Sequence, residues 1–107
     1  MSDSLSDLPP DPALVADAAL LSAFADPTRL RLLHRLLRGP CCVGDLVEEA
    51  EALQPRVSRH LAVLREAGLV ACDVDGRKRC YHLLRPDLVG PLLALLGAHR
   101  PAPGDPA

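Results

Sequence analysis

Gln54 to Val70 reads QPRVSRHLAVLREAGLV, and its spacing predicts a helix with one buried and one open side. At about 100° per residue, Val57, Leu61 and Leu64 share a stripe, the i, i+4, i+7 pattern that docks a helix on a core. Arg59 points the opposite way, with Pro55, Ser58 and Ala62 beside it and Gln54 and Arg56 at the start of the helix. Short side chains around one or two arginines suit insertion into a DNA major groove, where long apolar groups would block the base edges. Gln and Arg can bond base edges bidentately, and Ser can serve phosphates or bases. Gly68 supplies a C-terminal cap, after which Leu69 and Val70 open an extended segment. Taken alone, the stretch also fits an ordinary amphipathic helix with a solvated face.

The residues that follow favour the groove. Val70 to Leu84, VACDVDGRKRCYHLL, is a hairpin with Asp75-Gly76 at its turn and Arg77, Lys78 and Arg79 just past the tip. A helix followed by a basic hairpin is a winged helix-turn-helix arrangement, with the helix in the groove and the wing on the flanking backbone. Between Gln54 and Arg85 seven basic residues face three acidic ones, a surplus of four, whereas the whole chain carries −2. The remainder therefore carries −6, and the positive field is confined to the helix and wing.

Composition narrows the partners. A chain of 107 residues is one small domain, marginal unless further surface is buried, and dimerisation is a natural remedy. With Phe24 and Tyr81 the sole aromatics, base stacking of the single-strand or RNA-binding kind has little to work with, so duplex DNA is expected. The acidic start, MSDSLSDLPPDP, lacks the basic and apolar regions of a signal peptide, and no apolar run reaches the roughly 18 residues that span a bilayer. A cytoplasmic protein is expected, in which Cys41, Cys42, Cys72 and Cys80 are reduced thiols, ligands or redox sensors rather than a structural disulfide framework.

Three segments are predicted: a mobile stretch 1–11, a winged helix-turn-helix domain 12–99, and a tail 100–107. Pro12 to Ala25 is a helix too apolar on too many sides to lie on a surface. Asp26 is an N-cap with Pro27 at the first helical position, opening a helix to about Arg38 with Leu30, Leu33, Leu36 and Leu37 as its core face. A short helix over about Gly44 to Ala52 precedes the turn into Gln54. Pro86 to His99 is a last apolar helix, expected to be irregular at Gly90-Pro91. The first and last helices carry more apolar surface than one small domain covers, so a twofold interface built from them is expected.

The cysteines admit several readings. Soft thiolates at Cys41 and Cys42 suit arsenic, antimony, cadmium or copper(I). A helix N-terminus lowers a thiol's pKa and raises its reactivity towards oxidants or persulfides. A bond between adjacent Cys41 and Cys42 would be strained, since neighbouring Cα atoms stand about 3.8 Å apart, below the usual disulfide range. Strained disulfides tend to be regulatory ones. Packing as small buried hydrophobes is the plain alternative. Cys72 and Cys80, on the two hairpin strands, are further candidates that face one another in one of two turn registers. His60 lies beside the buried stripe, as a packed or a phosphate-contacting residue.

Ala25 to Leu37 (ADPTRLRLLHRLL), Cys41 to Leu46 (CCVGDL), Gln54 to Val70 and Asp75 to Leu83 (DGRKRCYHL) together resemble, in order and spacing, the ArsR/SmtB family of metal- and thiol-responsive winged-helix repressors. The resemblance implies a homodimer, built on the terminal helices, that binds an operator and releases it when an inducer reaches the protein. Family members that sense trivalent arsenic or cadmium carry a CVCDL-type motif. Here Cys42 falls on its first cysteine, Gly44 replaces the second, and Cys41 is an extra neighbour. Cys80 stands where the family commonly has an aromatic residue. The family's zinc site on the last helix is poorly matched, with Asp87 and His99 present but their paired His and Glu absent.

The expectation is a mainly α domain with a β-hairpin wing, homodimeric through its first and last helices, and not an enzyme. Gln54 and Arg59 are the base-reading candidates; Arg56, Ser58, His60, Arg77, Lys78 and Arg79 complete the DNA-contacting set. Cys41 and Cys42 are the sensor candidates, with Cys72 and Cys80 beside them. No cofactor is obligatory, and the inducer is As(III), Sb(III) or another soft metal ion, or else an oxidant or persulfide acting through a Cys41–Cys42 disulfide. A winged-helix protein-interaction module is a further alternative. A thiol oxidoreductase is disfavoured by the absence of a C-x-x-C motif and of any βαβ pattern.

Overall fold

The computed structural model describes residues 8–100; the expectations for residues 1–7 and 101–107 lie outside the described residues. Five helices and three strands follow in the order α1 (Pro12–Phe24), α2 (Pro27–Leu37), β1 (Cys41–Cys42), α3 (Val43–Ala50), α4 (Gln54–Glu66), β2 (Val70–Asp75), β3 (Lys78–Leu83) and α5 (Pro86–Ala98). This is the predicted winged helix-turn-helix, with one strand added. No described helix is long and apolar enough to cross a membrane.

The caps explain the boundaries. Asp11 accepts from the Ala13 N–H at 2.9 Å and Asp26 from the Arg29 N–H at 3.0 Å, and in each helix a proline follows at the first position. After α3, Glu51 adopts φ 52°, the one positive φ among described non-glycine residues, so the turn into α4 occupies only Glu51, Ala52 and Leu53. At the other end of α4, Gly68 takes φ 77°. Its N–H donates to the Arg65 carbonyl and that of Leu69 to the Leu64 carbonyl, both at 3.0 Å, the paired bonds of a Schellman cap.

The core forms where these helices meet the sheet. Val57, Leu61 and Leu64 of α4 are fully buried, as their spacing requires, among Leu32, Leu33, Leu36, Leu46, Leu69, Val70, Tyr81, Val89 and Leu93. On α2 the core face is turned slightly from the expected one: Leu32 is buried and Leu37 is exposed, because this helix packs at once on α3, α4, α5 and β3. Nor does α5 break at Gly90-Pro91; it runs through Pro91 without interruption.

The sheet order is β1-β3-β2, all antiparallel. Cys41 and Cys42 therefore do more than lead into a helix: they form an edge strand on the wing. Asp75 pairs with Lys78, so the turn is Gly76-Arg77, with Gly76 at φ 62°, as a Gly-first two-residue hairpin needs. Leu14, Val15 and Leu21 of α1 and Leu95 and Leu96 of α5 remain exposed, which leaves an apolar surface on both terminal helices.

Candidate nucleic-acid interface and cysteine sheet

The open side of α4 and the wing converge. Gln54, Arg56, Ser58 and Arg59 are exposed on α4, and Arg77, Lys78 and Arg79 at the hairpin end. Gln54, Ser58, Arg65, Arg77, Arg79 and Tyr81 line one groove of about 310 Å³ between helix and wing. Arg65 is absent from the sequence-based set, although its signal was present: Gln54, Ser58, Ala62 and Arg65 follow the i, i+4, i+8, i+11 spacing of one helical face. Such a concave, basic surface can hold a phosphate backbone while the neighbouring helix reaches base edges.

His60 is placed differently from those residues. Of its two expected surroundings the structure shows the packed one. Its Nδ1 lies 3.1 Å from Arg29 NH1 and its Nε2 3.7 Å from Asp26 Oδ2, with the side chain only 15% exposed. Arg29 also donates through Nε to the Ala23 carbonyl at 2.8 Å and through NH2 to the Ser22 carbonyl at 3.1 Å. The end of α1, the start of α2 and the middle of α4 are thereby tied at one point. Burial, the largest influence on Asp26, pushes its carboxyl up, but the Arg29 N–H, His60 and the Thr28 N–H together outweigh it and hold the pKa below the usual value.

The four cysteines lie on one sheet and two faces. Register partners in antiparallel strands share a face, and successive residues alternate. Cys41, Tyr81 and Cys72 form one row across β1, β3 and β2, and Cys42, Cys80 and Asp73 form the next row on the other side. Cys41 and Tyr81 are buried. Burial pushes the Cys41 thiol up, against the lowering expected from the helix start, and also raises Tyr81, to which its side-chain hydrogen bond with Cys72 adds.

The register corrects two expectations. Cys42 is disulfide-bonded to Cys80, not to its neighbour Cys41, because consecutive strand residues point to opposite faces. Cys72 faces Tyr81 rather than Cys80, as the two-residue turn fixes the register. Cys41 and Cys72 are free thiols. No group of three or more His, Cys, Asp or Glu among the described residues could hold a metal ion.

This three-stranded wing on a helical body, with an exposed basic helix face beside it, is a winged helix-turn-helix fold. The profile of bacterial regulatory proteins of the arsR family matches residues 26–71. A probable mercury resistance operon repressor from Streptomyces lividans is 47% identical over 64 residues, which is 60% of this chain and 51% of that protein. The crystal structure of NolR from Sinorhizobium fredii superposes with a TM-score of 0.74 at 30% identity, over 85% of this chain and 94% of that one. The homodimeric winged helix-turn-helix DNA-binding domain of Mb0332 from Mycobacterium bovis gives 0.71 at 26% identity, over 80% and 79%. The chain belongs to the ArsR family of regulators. It spans about half the length of the first curated relatives it matches, 51% and 56%.

Proposed function

We propose that the chain is a homodimeric, cytoplasmic transcriptional repressor that inserts α4 into the major groove of an operator and lays its wing on the flanking backbone. The observation that carries this reading is the convergence of Gln54 and Ser58 with Arg77 and Arg79 on one groove. Gln54 and Arg59 read bases; Arg56, Ser58, Arg65, Arg77, Lys78 and Arg79 hold phosphates. His60 acts from behind, by fixing the helix. The exposed leucines of α1 and α5 meet those of a second copy, which sets two α4 helices on half-sites about one helical turn apart.

The inducer is a soft metal or metalloid ion, of the class of trivalent arsenic, antimony or a thiophilic divalent cation, reacting with thiols at the β1–wing junction. Support comes from placement: β1 runs directly into α3, the first helix of the helix-turn-helix, so a change at Cys42 is passed to the support of α4. The mercury-operon repressor among the relatives fits the same chemistry.

Selection from a pool of randomised duplexes tests the DNA reading. An enriched inverted repeat, bound in a salt-dependent way and lost with Arg59→Ala, is expected. A protein that enriches no sequence and binds without salt dependence contradicts it.

A further inference from the structure

Leu53 stands where folding alone would not place a leucine. It is the N-cap of α4, with φ −67° and ψ 145°, and its carbonyl accepts from the Val57 N–H at 3.0 Å. The backbone thus opens the helix, but the side chain makes no capping bond, and leucine is among the poorest residues for such a position. Pro55, the second helical residue, has no N–H to offer, so the bond forgone is the one from the Arg56 N–H. Leu53 is also 79% exposed, more than any other large hydrophobic among the described residues. It belongs to neither α1 nor α5, so a twofold interface on those helices does not account for it.

The neighbours of Leu53 indicate what would cover it. Gln54 follows directly, and Gln54 and Ser58 line the groove between α4 and the wing together with Arg65, Arg77 and Arg79. Phosphates drawn to these arginines bring a duplex up to the start of α4, and the first residues of a groove-inserted helix are those that reach base edges. On the floor of a major groove an aliphatic side chain has one apolar partner, the C5-methyl of thymine. We propose that Leu53 packs on that methyl in each half-site and so selects thymine by apolar contact, where Gln54 and Arg59 select by hydrogen bonds. The inference rests on the reading of the chain as a repressor with α4 in the major groove, and adds a base preference to it.

The contact accounts for the missing cap. A serine at this position would accept from the Arg56 N–H and steady α4, but it would set a hydroxyl against the thymine methyl and bury less of it. Leu53→Ser should therefore raise the urea midpoint of the free protein while it lowers affinity for the operator. A residue that served folding alone would not move the two in opposite directions.

The test scans the duplex selected by the whole chain, replacing each thymine in turn with uracil, which removes the methyl and keeps every hydrogen-bonding group. Wild type should lose affinity at one position of each half-site, by about fourfold for each methyl removed. Leu53→Ser should bind the thymine and uracil duplexes alike at that position. Leu53→Met, which keeps an apolar contact, should retain most of the discrimination. Light scattering should give Leu53→Ser the same mass as wild type. Indifference of wild type to uracil at every position overturns the inference, as does discrimination that survives Leu53→Ser. A lower urea midpoint in Leu53→Ser overturns it in favour of a folding role, and a changed mass in favour of a contact between copies. All of these leave wild-type binding of the thymine duplex intact, whereas a chain that enriches no duplex fails the repressor reading and this inference with it.

Discussion

Arg29 of α2 and His60 of α4 are hydrogen-bonded across 31 residues, NH1 to Nδ1 at 3.1 Å, while Asp26 lies against the other imidazole nitrogen. α4 is thus fixed from its inner side by a polar link as well as by its apolar stripe. Arg29→Ala removes this bond and those to the Ala23 and Ser22 carbonyls, at an expected cost of about 1–3 kcal/mol in urea unfolding. Because the Asp26 carboxyl is held below its usual value, its contribution is complete above the ordinary carboxylate range and is lost as pH falls through the lowered value. Asp26→Asn should flatten that part of the acid limb; an unchanged limb contradicts the assignment.

Gly68 tests the exit of α4. A Cβ there would meet no heavy atom within 4 Å, but φ is 77°, so Gly68→Ala is penalised by backbone strain alone, by about 1–2 kcal/mol. An unchanged urea midpoint would contradict that.

Cys41 should be the least reactive thiol of the reduced native chain. It is buried, and burial raises its pKa. Its neutral form contributes stability that is complete below the ordinary thiol pKa and lost as pH rises through the raised one. Alkylation at neutral pH should label Cys72 before Cys41, with Cys41 reacting at comparable rate only after denaturation. Labelling of Cys41 first would show that the thiol is open.

Much of this was legible in the sequence, for a physical reason. Val57, Leu61 and Leu64 repeat at the helix period, Asp26-Pro27 and Gly68 punctuate the helices, and Asp75-Gly76 marks the hairpin, so short-range rules sufficed. The strand at Cys41–Cys42 was not legible, since two residues show no period, and their partner β3 lies almost forty positions away. Without β1 the cysteines could not be sorted by face, and the pairing of Cys42 with Cys80 stayed hidden. His60 was ambiguous because its role depends on Asp26 and Arg29, which only the fold brings to it.

The exposed leucines make a prediction about assembly. The chain mass is 11.4 kDa, and light scattering should give roughly twice that value for the native protein. Leu14→Glu with Leu95→Glu places charges on both terminal helices and should yield monomer with its helical content intact, since neither residue is in the core. A monomeric wild type would remove the twofold arrangement.

The most direct test of α4 and the wing as one DNA-binding surface is the salt dependence of binding to the selected duplex. It is measured for wild type, Arg59→Ala and the triple variant Arg77→Ala, Lys78→Ala, Arg79→Ala. The triple variant should bind more weakly, with a slope of log K against log salt shallower by roughly 0.9 for each phosphate that the wing no longer neutralises. Arg59→Ala should lose sequence preference at one position of each half-site, by about 1–3 kcal/mol. A triple variant with unchanged affinity and slope, and an Arg59→Ala protein with unchanged preference, would show that this surface does not bind DNA.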